Sequence, residues 1–144
     1  MLPLLLLLVL FTVLTLQHFQ PREKTGSARR LPETATVSDS TVKLRLEYGD
    51  GVEKSFTALP WKEGMTVQTA LELATSHPRG IVFVQQGSGE MTLLTAIDGL
   101  QNQGGGDQAK NWIYWVNGKK AEKSFAIHQL NPGDAVLWTF SLYE

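Results

Sequence analysis

The chain has 144 residues, 42% hydrophobic and 19% charged, with a formal net charge of −1. That balance suits one folded domain with a short appendage and offers no clustered basic face for nucleic acid. Cysteine is absent, which excludes disulfides, thiolate metal sites, iron–sulfur clusters and cysteine nucleophiles without fixing the compartment.

The first element is an apolar run, Leu2 to Leu16, broken only by Pro3, Thr12 and Thr15. As a helix it would extend about 22 Å, short of the ~30 Å hydrocarbon core, and continuation to Phe19 narrows the gap. Its length suits a signal peptide, but no Lys or Arg precedes it and no small-x-small cleavage pattern follows closely. These flanks favour an uncleaved anchor over 1–19, with a secreted domain as the alternative if cleavage occurs. Arg22, Lys24, Arg29 and Arg30 follow the run, and the positive-inside tendency alone would hold that side in the cytoplasm. Residues 20–40 are rich in Pro, Thr, Ser and charge and read as a flexible linker. "LPETA" at Leu31 resembles a sortase signal, but Ala35 replaces the glycine and no hydrophobic tail follows it.

The folded part is expected over 41–144. In "TVKLRLEY", Val42, Leu44, Leu46 and Tyr48 alternate with Lys43, Arg45 and Glu47, the period of a half-buried strand. "GDG" at 49–51 turns the chain into a partner strand, "VEKSFTAL". Thr66 is a candidate N-cap for a helix whose apolar stripe is Val67, Ala70, Leu71 and Ala74, stopped by Pro78 and Gly80. "GIVFVQQ", uniformly apolar at its start, is expected to be a central strand, and "MTLLTAIDGLQ" another. "NQGGGDQAK" is a loop, "NWIYWVNGKK" a strand entering a tight turn, and "LNPGDAVLWTFSLY" a turn and a last strand. One helix on a mixed sheet gives an α+β class, and a β-grasp satisfies the order.

Catalytic and metal chemistry find little support. His18, His77 and His128 show no ligand spacing, and "GSG" at 87–89 lacks the strand-to-helix elbow of a nucleophilic serine. The glycines of 104–106 precede Lys110 without the Ser or Thr and the helix that a phosphate loop requires. Asp98, Asp107 and Asp134 have no calcium-loop spacing, and "IDG" and "PGD" read as turns. No nucleophile, base and orienter assemble from this inventory, so the chain reads as a non-enzyme with no catalytic residue, no metal site and no required cofactor.

The aromatic strand is the remaining signal. Alternation puts Trp112, Tyr114 and Val116 on one face and Ile113 and Trp115 on the other. Both faces carry an indole, and only one can be hidden against the helix. The other covers a sheet end, packs under a loop or meets a ligand. Lys119 and Lys120 read as ordinary turn residues.

"GMTVQTALELA" from Gly64, and the long run from "LLTAIDGLQNQGGGDQAK" through "NWIYWVNGKK" and "LNPGDAVLWTF", resemble the transcobalamin-like C-terminal domain family. The resemblance covers about the whole folded part, from Thr41 to Tyr143, and is most specific at "NWIYWVNGK" and "LNPGD". It implies a β-grasp of the soluble-ligand-binding type in an exported, bacterial-type domain. It is related to the domain that closes one face of the corrinoid in vitamin B12 carriers, where a helical barrel holds the other face. A chain of this length has no room for that barrel.

By the same resemblance, Trp112 stands on a ligand-facing strand, with Tyr114 and Trp115 beside it. Asp98 and Gly99 occupy the preceding strand end, and Ser124 and Phe125 open a binding loop that runs to His128. The implied location is the cell envelope, outside the cytoplasmic membrane. The expected ligand is a corrinoid or another planar molecule. The alternative is an envelope protein partner met by the same aromatic edge.

Overall fold

A computed structural model describes residues 40–143. The apolar segment 1–19 and nearly all of the 20–40 linker lie outside the described residues. Among the described residues, no helix is long and apolar enough to cross a membrane.

Strand β1 (Thr41–Glu47) buries Val42, Leu44 and Leu46 at 0–1% exposure, as its alternation requires. Each such aliphatic side chain contributes roughly 1.5–3 kcal/mol by leaving water. β1 turns into β2 (Glu53–Pro60), its antiparallel neighbour. Gly49 in that turn has φ 77°, and a Cβ there would stand 2.6 Å from the Phe140 carbonyl oxygen. Only glycine fits that approach.

Helix α1 (Val67–Thr75) follows. Thr66 caps it, its hydroxyl accepting from the Thr69 amide while the Thr69 hydroxyl accepts from the Thr66 amide. This satisfies two backbone donors that a helix start leaves open. Val67, Ala70, Leu71 and Ala74 are fully buried, the one stripe that a helix lying on a sheet presents.

The remaining strands are β3 (Phe83–Gln86), β4 (Leu93–Ile97), β5 (Leu100–Gln101), β6 (Lys110–Val116), β7 (Lys119–Lys120) and β8 (Ala135–Leu142). A single 3-10 turn, Gly89–Met91, joins β3 to β4. Five strands form a mixed sheet in the order β2-β1-β8-β6-β7. The first and last strands, β1 and β8, run parallel at its centre, and every other pairing is antiparallel. The core lies between this sheet and α1, with Trp112, Tyr114, Trp138 and Phe140 among its large side chains. The fold is α+β, one helix against a mixed sheet.

Two expectations are corrected. "GIVFVQQ" is not central: β3 is an edge strand of a separate three-stranded sheet, β3-β4-β5, and Val82 and Val84 are 66% and 52% exposed. Its apolarity arises because both faces carry valine or phenylalanine while only Ile81 is deeply buried. "MTLLTAIDGLQ" is not one strand. Asp98 and Gly99 both take positive φ, 48° and 80°, and fold it into β4 and β5.

Asn102 stitches the two sheets together. Its amide nitrogen donates to Leu94 O at 2.7 Å, and its carbonyl accepts from the Trp112 amide at 2.8 Å. On β3, Gln85 Oε1 is buried without a hydrogen-bond partner among the described residues. Such an orphan costs about 1–3 kcal/mol. Gln85→Met, close in length, is therefore expected to raise the unfolding free energy by about 1 kcal/mol in urea melts. A lower stability would show that the amide has a use this geometry does not reveal.

Candidate functional site

The two segments with the most distinctive sequence meet at one end of the five-stranded sheet. Asn117, in the β6–β7 turn, has φ 51°, a left-handed conformation that Asn tolerates better than most residues. Its amide nitrogen donates to Asp134 Oδ1 at 2.8 Å, its side-chain carbonyl accepts from the Ala135 amide at 2.9 Å, and its own amide donates to Ala135 O at 2.8 Å. Asp134 Oδ2 accepts from the Asn131 amide at 2.7 Å, which closes the Asn131–Asp134 turn. "WVNGK" and "LNPGD" are thus one clamp, built from side chains that imitate backbone.

Beside the clamp lies His128. The Tyr114 hydroxyl donates to Lys123 O at 2.7 Å and stands 3.0 Å from His128 Nδ1. With the phenolic proton directed to Lys123, His128 satisfies the pair by donating from Nδ1–H. The neutral tautomer then leaves Nε2 as an acceptor. Burial lowers the His128 pKa, the Lys123 ammonium lowers it further, and Asp134 opposes both. The imidazole is therefore neutral at pH 7. Burial pushes the Tyr114 phenol up to about 12, so it remains a hydrogen-bond donor.

These groups border a cavity of about 600 Å³ between the β6–β7 hairpin and the 121–134 loop. Val116 and Ala121 give it an apolar part, and Asn117, Gln129 and Asn131 bring amides. Lys119, Lys123, Glu122 and Asp134 add charges of both signs. A space of this size is within the range of small-molecule sites. Among the described residues, no group of three or more His, Cys, Asp or Glu could hold a metal ion.

The residues singled out from sequence divide into four kinds. Trp112, Tyr114 and Phe125 are core side chains, 6%, 7% and 2% exposed. The Trp112 indole N–H donates to Leu100 O at 2.8 Å, and its ring packs against Tyr48 and Phe140. Phe125 stands edge-on to Trp138. Trp112 and Phe125, expected to face a ligand, are buried in the core here, while the Tyr114 hydroxyl touches two cavity residues, Lys123 and His128.

Asp98 and Gly99 form the β4–β5 turn, away from the cavity. Asp98 accepts from the Tyr48 hydroxyl at 2.5 Å, Lys54 Nζ at 2.8 Å and the Val82 amide at 2.8 Å. Ser124 ties its loop to the start of β4 by donating to Thr92 O at 2.7 Å. Trp115 is the indole left on the outer face, half-buried, in a shallow concavity of about 580 Å³ with Ile113 and Lys110.

The cavity residues Asn117, Gln129 and Asn131 were not assigned a binding role from sequence, and His128 entered only as the end of the implied binding loop. The available signal was the pair of turn motifs, Asn-Gly and Asn-Pro-Gly-Asp, whose contact across 12 intervening residues is invisible to local patterning.

A family model described as "Domain of unknown function (DUF4430)" matches residues 64–141, more than half of the chain. The chain belongs to the DUF4430 family. The match contains α1, the clamp and the whole border of the cavity. No curated protein matches the chain.

Among solved structures, the DUF4430 chain is similar to a candidate metal-binding protein from Ruminococcus gnavus ATCC 29149, with a TM-score of 0.55 and 16% identity. That likeness covers 72% of this chain and 97% of the other. At this identity the likeness concerns the fold.

Proposed function

We propose that this DUF4430 chain is a non-enzymatic binding module, held at the outer side of the cytoplasmic membrane by its N-terminal segment. Its His128 cavity receives one amide-fringed edge of a corrinoid or of a similar flat molecule, the whole of which exceeds the cavity of about 600 Å³. The observation that carries this reading is the clamp. The two segments that most resemble the transcobalamin-like domains, "NWIYWVNGK" and "LNPGD", are locked together as one wall of a cavity of about 600 Å³.

The chemistry agrees with the ligand class. Side-chain amides of Asn117, Gln129 and Asn131 can exchange hydrogen bonds with peripheral amides of a macrocycle, and His128 Nε2 can accept one more. Val116 and Ala121 offer apolar contact to its plane. The parallel β1–β8 pair flanked by two hairpins, with the helix after the first hairpin, supports reading the fold as a β-grasp. The resemblance also supports the envelope location, with 1–19 as anchor and 20–40 as tether.

Trp115 favours a second reading. It sits half-buried on the outer sheet face beside the buried Ile113, and a partly exposed indole there suits an envelope protein partner as well as a small molecule.

Calorimetric titration of the full chain in neutral detergent with cyanocobalamin and dicyanocobinamide tests the first reading. Saturable heat with micromolar or tighter affinity is expected. Absence of heat at millimolar ligand would remove free corrinoids and leave the outer face as the leading surface.

A further inference from the structure

Asparagine is thermolabile because the amide nitrogen of the next residue can attack its side-chain carbonyl. The attacking amide must be free, and a side chain on its residue obstructs the approach. The chain has four asparagines, and the structure separates them. Asn131 precedes Pro132, whose nitrogen has no proton to lose. Asn102 precedes Gln103, whose amide donates to Lys110 O at 3.0 Å. Asn111 precedes Trp112, whose amide donates to Asn102 Oδ1 at 2.8 Å. Asn117 precedes Gly118, whose amide has no hydrogen-bond partner among the described residues. Nothing stands within 4 Å of where a Cβ on Gly118 would be.

The clamp adds two effects at that residue. Asn117 Oδ1 accepts from the Ala135 amide, and Nδ2 donates to Asp134 Oδ1. Both bonds hold the side chain away from the Gly118 nitrogen, so the fold delays the reaction. Afterwards an oxygen takes the place of Nδ2, 2.8 Å from the Asp134 carboxylate. Two carboxylates that close cannot both stay ionised and in place. The isoaspartate product also routes the backbone through one further carbon. A two-residue turn between Val116 and Lys119, with φ of 51° and 76°, has no room for it.

We propose that Asn117 is a self-modification site, a slow timer whose deamidation unlocks the cavity wall. The Gly118 nitrogen gives its proton to solvent and bonds to Asn117 Cγ. The Cγ–Nδ2 bond breaks, and Nδ2 takes a proton from solvent and leaves as ammonia. Water then opens the five-membered succinimide at either carbonyl, giving aspartate or isoaspartate. No electron is gained or lost. Repulsion replaces the Asn117–Asp134 bond, and the Asn131–Asp134 turn parts from the β6–β7 turn. The inference holds whatever the cavity receives, since every group in it belongs to this chain.

The full chain in neutral detergent is aged in warm, mildly alkaline buffer and mapped by peptide mass spectrometry. Acid is expected to accumulate at residue 117 before residues 102, 111 and 131. Asp134→Ala, which releases Nδ2, is expected to deamidate at least tenfold faster, with circular dichroism checking that it stays folded. Asn117→Asp is one of the two products and carries the test if Asp134→Ala unfolds. Its 121–134 amides are expected to exchange at least tenfold faster than those of the wild type, while β1 keeps its protection. Equal ageing at the four asparagines would overturn the proposal. So would an unaltered rate in folded Asp134→Ala, or wild-type exchange of the 121–134 loop in Asn117→Asp.

Discussion

Replacing Trp112 by alanine is expected to lower the unfolding free energy by about 3–5 kcal/mol, the usual range for removing a large buried aromatic side chain. Three contributions point the same way. The ring is 6% exposed and packs against Tyr48 and Phe140 at 5.4 and 5.5 Å between centroids. Its removal leaves the Leu100 carbonyl without the indole donor. It also empties the side of the core where the two sheets are joined by Asn102. Trp115→Ala, on the outer face, is expected to cost less than about 1 kcal/mol, as partly exposed positions usually do. Urea melts of the two variants measure the contrast directly. Equal losses would show that the outer indole is as structural as the inner one.

The second large effect is electrostatic. Asp98→Asn is expected to cost about 1–3 kcal/mol at pH 7, the scale of charged hydrogen bonds lost from a partly buried group. Asparagine suits this test because it tolerates the positive φ of 48° at that position better than alanine would. The carboxylate accepts from Tyr48, Lys54 and the Val82 amide, and its side chain is 24% exposed.

Burial alone would raise the Asp98 pKa. The hydrogen bonds from Lys54, Tyr48 and Val82, with the Lys54 charge, outweigh burial and hold it below the ordinary carboxylate value. Burial also raises the Tyr48 pKa, and the neighbouring carboxylate adds to the rise, so the phenol stays protonated and donates. Because the folded pKa of Asp98 is depressed, its stabilisation is complete above the unfolded value near 4. It is lost as pH falls through that value toward the folded one. Wild type minus Asp98→Asn stability, followed from pH 7 to pH 2.5, should therefore shrink with acidification. A constant difference would mean that the carboxylate acts by shape and not by charge.

The elements were legible where side-chain period and burial agreed. β1 alternates because one face meets the core and the other meets water, and α1 shows one stripe because it touches one sheet. The Thr66 cap was legible because capping is local. β3 was misread because a run of apolar residues has the same look whether both faces are covered or one is left bare. The Asp98–Gly99 fold was read as a turn, yet the strand around it was read as continuous, since period two continues on either side.

The site was harder. Trp112 and Trp115 differ in role only through what the rest of the chain lays over each face, and β8 and β5 decide that from distant sequence. The contact of Asn117 with Asp134 and the approach of His128 to Tyr114 arise when the 121–134 loop closes back on β6. No local pattern encodes that closure.

The central claim is that the domain binds its ligand at the His128 cavity and not through the aromatic faces of β6. The most direct measurement is the corrinoid titration repeated on His128→Ala and on Trp115→Ala, both read by calorimetry. The account predicts at least tenfold weaker binding for His128→Ala and an unchanged affinity for Trp115→Ala. The reverse pattern would contradict it and move the working surface to the outer face of the sheet.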